Sequence, residues 1–215
     1  KNEYDADLVV MCVGFYPNTE IFKGQLDMLP NGAIKVDEYM KTSSPDVVAA
    51  GDCCTVFFNP SQEQMYIPLA TNAVRMGTLA AVNICENKIK HPGTQGSSGI
   101  KIYEYNMAAT GISEEVGEKM GLNVTSITIE DNFRPEFMPS YEKVTFKVVF
   151  DKDTREIKGA QLNSKFDLTQ SINTLSVCIQ NKMKVEDLAF VDFFFQPHYN
   201  KPWNFINLVG LESLK

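Results

Sequence analysis

The chain has 215 residues, 44% hydrophobic and 22% charged, a balance typical of a soluble globular protein with length enough for one or two cored domains. Its formal charge of −7 argues against a nucleic-acid partner or an anionic membrane surface. No apolar run approaches the roughly 18 residues needed to cross a bilayer.

The opening Lys1-Asn2-Glu3-Tyr4, without Met and without a signal peptide, reads as the cut end of a longer chain. Ala6 to Val13 (ADLVVMCV) is an apolar run of the length of a strand buried on both faces, and it ends at Gly14 before a Pro17-Asn18 turn. Asn31-Gly32 signals a tight turn, and Ala33 to Asp37 then alternates as a half-buried strand does. Val47 to Ala50 is a second short apolar run, set between Pro45 and Gly51, and predicts another buried strand. Asp52 then falls at that strand's carboxyl end, where open α/β sheets bind ligands and where a carboxylate suits a ligand hydroxyl.

Residues 55–66 read as a polar loop centred on Asn59-Pro60-Ser61. Ile67 to Cys85 reads as a helix with Pro68 in its first turn and small residues (Ala70, Ala73, Gly77, Ala80, Ala81) at helical spacing. The N-terminus of such a helix offers free N–H groups and partial positive charge to an electron-rich carbonyl. His91 to Gly99 (HPGTQGSSG) reads as the boundary between two halves, a linker with His91 in a surface loop.

Beyond it, Ile100–Tyr105 and Val124–Ile129 read as strands, and Ser113 caps a short helix ending at Gly121. Lys143–Phe150 and Ile157–Leu162 flank a hairpin connection at Asp151-Lys152-Asp153-Thr154. Asp167 opens a helix reaching about Gln180, with Leu168, Ile172, Leu175 and Ile179 on one stripe, and Val185–Phe190 is a further helical turn or two. Strands followed by helices predict an α+β domain, an antiparallel sheet with helices. The segment from Phe193 to Trp203 is dense in aromatics, as cores and subunit interfaces are. The five cysteines (Cys12, Cys53, Cys54, Cys85, Cys178) are an odd number, and three lie in apolar runs, which fits reduced thiols in a cytoplasmic protein. No metal-ligating set is read from the sequence.

Several of these stretches resemble one family. The run TSSPDVVAAGD is similar to the second flavin-binding motif of the FAD-dependent pyridine-nucleotide–disulfide oxidoreductases, and the match is nearly continuous from Asn31 to Asp52. DLVVMCVGFYPNT resembles the exit from the NAD-binding domain of that family, PLATNA its flavin-facing helix, and the second half its dimerisation domain. The resemblance implies that Asp52 accepts a hydrogen bond from the ribityl chain of FAD. It further implies that Leu69, Ala70 and Thr71 face the flavin ring edge and that Gly99 lies near NAD. The implied fold is an α+β dimerisation domain preceded by an incomplete α/β FAD/NAD-binding portion. Its expected divisions are residues 1–20 (end of the NAD domain), 21–92 (FAD domain) and 93–215 (dimerisation domain).

In the family the aromatic tail crosses the two-fold axis and helps wall the partner's flavin site, which implies a homodimer with this segment packed at the interface and with His198 and Tyr199 as the tail's titratable and hydroxyl groups able to reach a partner's site. Glu130 to Pro139 (EDNFRPEFMP) looks most like the water-forming NADH oxidases, implying electron flow from NADH through FAD to oxygen. NADH peroxidase and CoA-disulfide reductase are the alternatives; of the two tyrosines that resemblance to the latter implies, Phe133 stands in place of the first and Tyr199 matches the second. The family's redox cysteine, active-site histidine and first FAD motif are not found in this chain, so no catalytic residue is assigned and Cys53-Cys54 reads as two small thiols after a turn. A second class of reading is a non-catalytic self-association module.

Overall fold

The computed structural model describes residues 2–215. Residues 2–14 follow no strand pairing and lie exposed, so the predicted strand at Ala6–Val13 is not formed. A run that is apolar on both faces needs a neighbour on each side, and no described residue pairs with it.

From Pro17 onward the first half is held by short bridges and one helix. The Asn31-Gly32 turn forms as expected, with Gly32 at φ 91° and its carbonyl accepting from the Thr19 hydroxyl at 2.6 Å. Ala33, Ile34 and Val36 are buried, but Ile34 makes only isolated bridges to Met28 and Cys54 and no strand results. Val47–Ala50 likewise stays half-buried, with Val48 in one bridge to Lys41. The predicted polar loop at 55–66 instead contains an antiparallel hairpin, β1 (Val56–Phe58) and β2 (Glu63–Met65), with Asn59-Pro60-Ser61 in its turn. Val56 and Phe58 face inward, and a three-residue alternation is too short to read against an Asn-Pro-Ser turn. Helix α1 (Ala70–Asn83) then packs Met76 and Ala80 against Ile34, Val36, Met40, Cys54 and Val56. Pro68 falls before the N-cap Leu69, outside the first turn where it was expected.

The second half is a five-stranded antiparallel sheet in the order β3-β4-β7-β6-β5. The strands are β3 (Ser98–Ile102), β4 (Tyr105–Gly111), β5 (Val124–Asn132), β6 (Lys143–Asp151) and β7 (Ile157–Ser164). The Ile100–Tyr105 run is therefore a strand plus its turn, reversed at Tyr103 (φ 52°). Between β4 and β5 lies α2 (Glu114–Lys119), capped by the Ser113 hydroxyl on the Val116 N–H. Alternation sorts β6: Val144, Phe146, Val148 and Phe150 point to one face, where α3 (Ile172–Gln180) and α4 (Phe205–Glu212) cover them. Asp167 accepts from Thr169 and opens a 3-10 turn, Thr169–Ser171, that leads into α3. The reverse face carries Thr128, Thr145, Lys147 and Gln161 and leaves a groove of about 650 Å³. At one end of this reverse face Val149 meets Ile112, Val124 and, from the first half, Phe58.

The stretch from His91 to Gly99 is not the free linker that its composition predicts. His91, Gly93, Thr94 and Gln95 are buried. Thr94 exchanges backbone hydrogen bonds with Phe57 and Asn59 on one side, and Gln95 accepts from the Gly111 N–H on the other. Among the described residues no helix is long and apolar enough to cross a membrane.

Candidate functional site

Gly51 sets the geometry around Asp52. Its φ of 89° suits glycine, and a Cβ there would stand 3.6 Å from the Cβ of Ala73. The turn therefore lies against the first turn of α1, and the Cys54 N–H closes it on the Gly51 carbonyl at 3.3 Å. Asp52 stands exposed at its tip. The adjoining helix end has no side-chain cap: Leu69 sits in extended backbone, and Asn72 turns its amide back to the Ile67 carbonyl at 3.0 Å. Leu69 is half-buried, while Ala70 and Thr71 are exposed. A carboxylate acceptor and an uncapped N-terminus of a 14-residue helix thus share one surface. Together they suit a ligand that offers a hydroxyl to one and a carbonyl or anion to the other.

Gly99 lies on β3, where a Cβ would be 3.4 Å from the Met107 carbonyl. It lines, with Thr71, Arg75, Thr94, Ser97 and Asn173, a polar cavity of about 370 Å³ between α1 and α3. Arg75 is fixed there: Nη2 donates to Asn72 Oδ1 at 2.6 Å and to Thr94 Oγ1 at 3.3 Å, and Nε donates to the Thr71 carbonyl at 3.2 Å. The structure thus brings Thr71 and Gly99 to one cavity, with Asp52 outside it.

Tyr66 and His91 are groups that reading the sequence passed over or misplaced. The Tyr66 hydroxyl is buried with no protein partner among the described residues, and burial, then the charges of Asp52 and Cys53, raise its pKa. Its position two residues before the PLATNA run is the signal the sequence offers. His91, expected in a surface loop, is 7% exposed. Its Nδ1 accepts from the Gly93 N–H at 3.0 Å, and burial, followed by the nearby Arg75 charge, lowers the imidazole to about 4.

The EDNFRPEFMP stretch holds the aromatic tail. Asp131 pairs with Lys201 at 2.6 Å, and Arg134 donates to the His198 carbonyl at 2.9 Å and to Ser140. Phe133 is buried and stacks on Phe166 with centroids 4.3 Å apart. His198 and Tyr199 remain exposed; the His198 N–H and ring bond Gln196, and Tyr199 meets Phe194 edge-on.

Comparison with known proteins places these features. A family model for pyridine nucleotide-disulphide oxidoreductases matches residues 1–77, and the model for the dimerisation domain of the same family matches residues 97–204. An NADH oxidase of Enterococcus faecalis is 55% identical over 215 residues, which is 100% of this chain and 48% of that protein. An NADH oxidase of Streptococcus pyogenes is 43% identical across 98% of this chain and 46% of its own length. The structure of a water-forming NADH oxidase from Lactobacillus brevis bound to NADH superposes with a TM-score of 0.96 at 48% identity, covering 99% of this chain and 47% of the other. The chain spans about half the length of the curated relatives it matches. Matched in both halves and aligned from end to end with these relatives, the chain belongs to the pyridine nucleotide-disulphide oxidoreductase family.

Proposed function

We propose that this chain is part of a homodimeric, cytoplasmic flavoenzyme that oxidises NADH and reduces oxygen to water. The observation that carries the reading is the close approach of the Gly51 turn to Ala73, near enough that an added Cβ would touch it, which sets Asp52 beside the uncapped start of α1. Those residues fit FAD. Asp52 would accept from a ribityl hydroxyl, and the exposed N–H end at Leu69, Ala70 and Thr71 would stabilise negative charge at the flavin ring edge. Bound there, FAD supplies two-electron chemistry between NADH and the acceptor. Gly99, on the polar cavity shared with Thr71, is the contact proposed for NAD. The divisions 1–20, 21–92 and 93–215 belong to the same reading.

Oxygen as acceptor is supported by the NADH oxidase relatives and by the EDNFRPEFMP stretch, whose Asp131 and Arg134 hold the tail. The homodimer is supported by the dimerisation-domain match and by exposed Phe194, Phe195, Tyr199 and Trp203. The cytoplasmic placement rests on five free cysteines.

The test uses the whole protein that carries this chain. NADH oxidation with oxygen uptake and no peroxide released is the expected result. Peroxide consumption without oxygen uptake would replace the oxidase by a peroxidase. Asp52→Asn removes a charge-assisted acceptor worth about 1.5–3 kcal/mol, so FAD should bind roughly 10- to 100-fold more weakly. A fluorescence titration of the apoprotein with FAD measures this, and unchanged affinity would sink the assignment of Asp52.

A further inference from the structure

Cys53 and Cys54 follow Asp52 in the Gly51 turn. The reversal at Gly51 bends both thiols back toward the segment they came from. Cys53 Sγ lies 3.5 Å from the Ala50 carbonyl and Cys54 Sγ lies 3.4 Å from that of Gly51, each donating to it. The two neighbours differ in access. Cys53 is half-buried, whereas Cys54 is buried in the core with Ile34, Val36 and Met40. Of two sulfurs on consecutive residues, the Cys53 one is thus the more accessible.

We propose that Cys53 and Cys54 form a reversible peroxide-modification site, with Cys53 as the attacking sulfur and Cys54 as the resolving one. In the first step the Cys53 thiolate attacks one oxygen of hydrogen peroxide. The O–O bond breaks, an S–O bond forms, and the departing oxygen takes a proton to leave as water. In the second step the Cys54 sulfur attacks the Cys53 sulfenic acid. An S–S bond forms, the S–O bond breaks, and the oxygen leaves as water with the Cys54 proton. Two thiols lose two hydrogens and one peroxide becomes two waters. The neighbouring Cys54 thiol lowers Cys53, against burial and the Asp52 charge, while the Cys53 thiol and burial push Cys54 up, the order these two roles require.

The resulting disulfide is easily reduced. Consecutive Cα atoms stand about 3.8 Å apart across a trans peptide, short of the roughly 4.4–6.8 Å that an unstrained disulfide spans. Strained, accessible disulfides are the labile ones.

The experiment treats the whole protein that carries this chain, with Cys12→Ser and Cys85→Ser to remove the exposed competing thiols of this part, with hydrogen peroxide at neutral pH. Free thiols are then alkylated and the peptide carrying residues 53 and 54 is weighed. The expected product has lost two hydrogens and is restored by dithiothreitol. Cys53→Ser abolishes it, and Cys54→Ala leaves a sulfenic acid at Cys53 that dimedone traps. Full alkylation of both residues after peroxide, or direct passage of Cys53 to sulfinic acid, would overturn the proposal. Should Cys54→Ala fail to fold, timed alkylation of the folded chain decides: Cys53 must be labelled before Cys54, and the opposite order rejects the assigned roles.

Discussion

His91 holds its imidazole inside the protein, with Nε2 unpaired among the described residues. An unfolded histidine titrates near 6.5, and this one is lowered to about 4. Between those values the unfolded chain takes up a proton that the folded one refuses. Stability should therefore fall as pH drops from 6.5 toward 4 and level off below. The whole effect amounts to about 3 kcal/mol. Urea unfolding across that pH range measures it, and His91→Gln should flatten the slope; an unchanged slope would show that other groups carry it. Nothing in HPGTQGSSG announces a buried histidine, because proline and glycine dominate the pattern and the burial comes from Met40, Val56 and Phe57, which line the same small cavity. The sharp turn before Asp52 was legible at this scale, because Gly51 supplies its positive φ, whereas the buried strand expected to lead into it is not formed.

Elements were legible where they are long and regular. The β6–β7 hairpin, the Ser113 cap and the stripe on α3 all follow from alternation, capping chemistry and helical spacing. Those missed are short or need distant partners: β1 and β2, the second strand of the β3–β4 hairpin, and α4. The last is apolar almost all round (FINLVGLE), which hides a helical period. Its Gly210 lies against the Val185–Phe190 turn so closely that a Cβ would be 2.2 Å from the Ala189 nitrogen. Gly210→Ala gains about 1 kcal/mol of helix propensity. It must nonetheless push two backbones apart, at a net cost of about 3 kcal/mol or more. Gly121→Ala meets open space and only the strain of φ 76°, about 1–2 kcal/mol. Chemical denaturation should rank the two variants in that order, and equal losses would refute the close contact.

At the scale of the whole molecule, the length allowed for one or two cored domains, and the contrast between halves was visible in the change of pattern at residues 91–99. What composition could not convey is that the halves share a core. Phe58 packs with Ile112, Val124 and Val149, and the segment through Thr94 and Gln95 bonds to both sides. Phe58→Ala should cost about 3–5 kcal/mol and lower the melting of both halves together. Calorimetry of the unaltered chain should accordingly show one transition; two separate peaks would contradict the shared cluster.

The same junction bears on what the peptide bonds between the halves are needed for. Thr94 is tied into the first half through Phe57, Asn59 and Asn72, and Gln95 into the second through Gly111 and Ser176. Ser98 and Gly99, just beyond, are exposed. A protease that cut there would sever the polypeptide without releasing its pieces, because side chains on both sides of the cut remain interlocked. The molecule would behave in solution as a nicked but intact particle, with covalent continuity at that point serving assembly during folding more than cohesion afterwards.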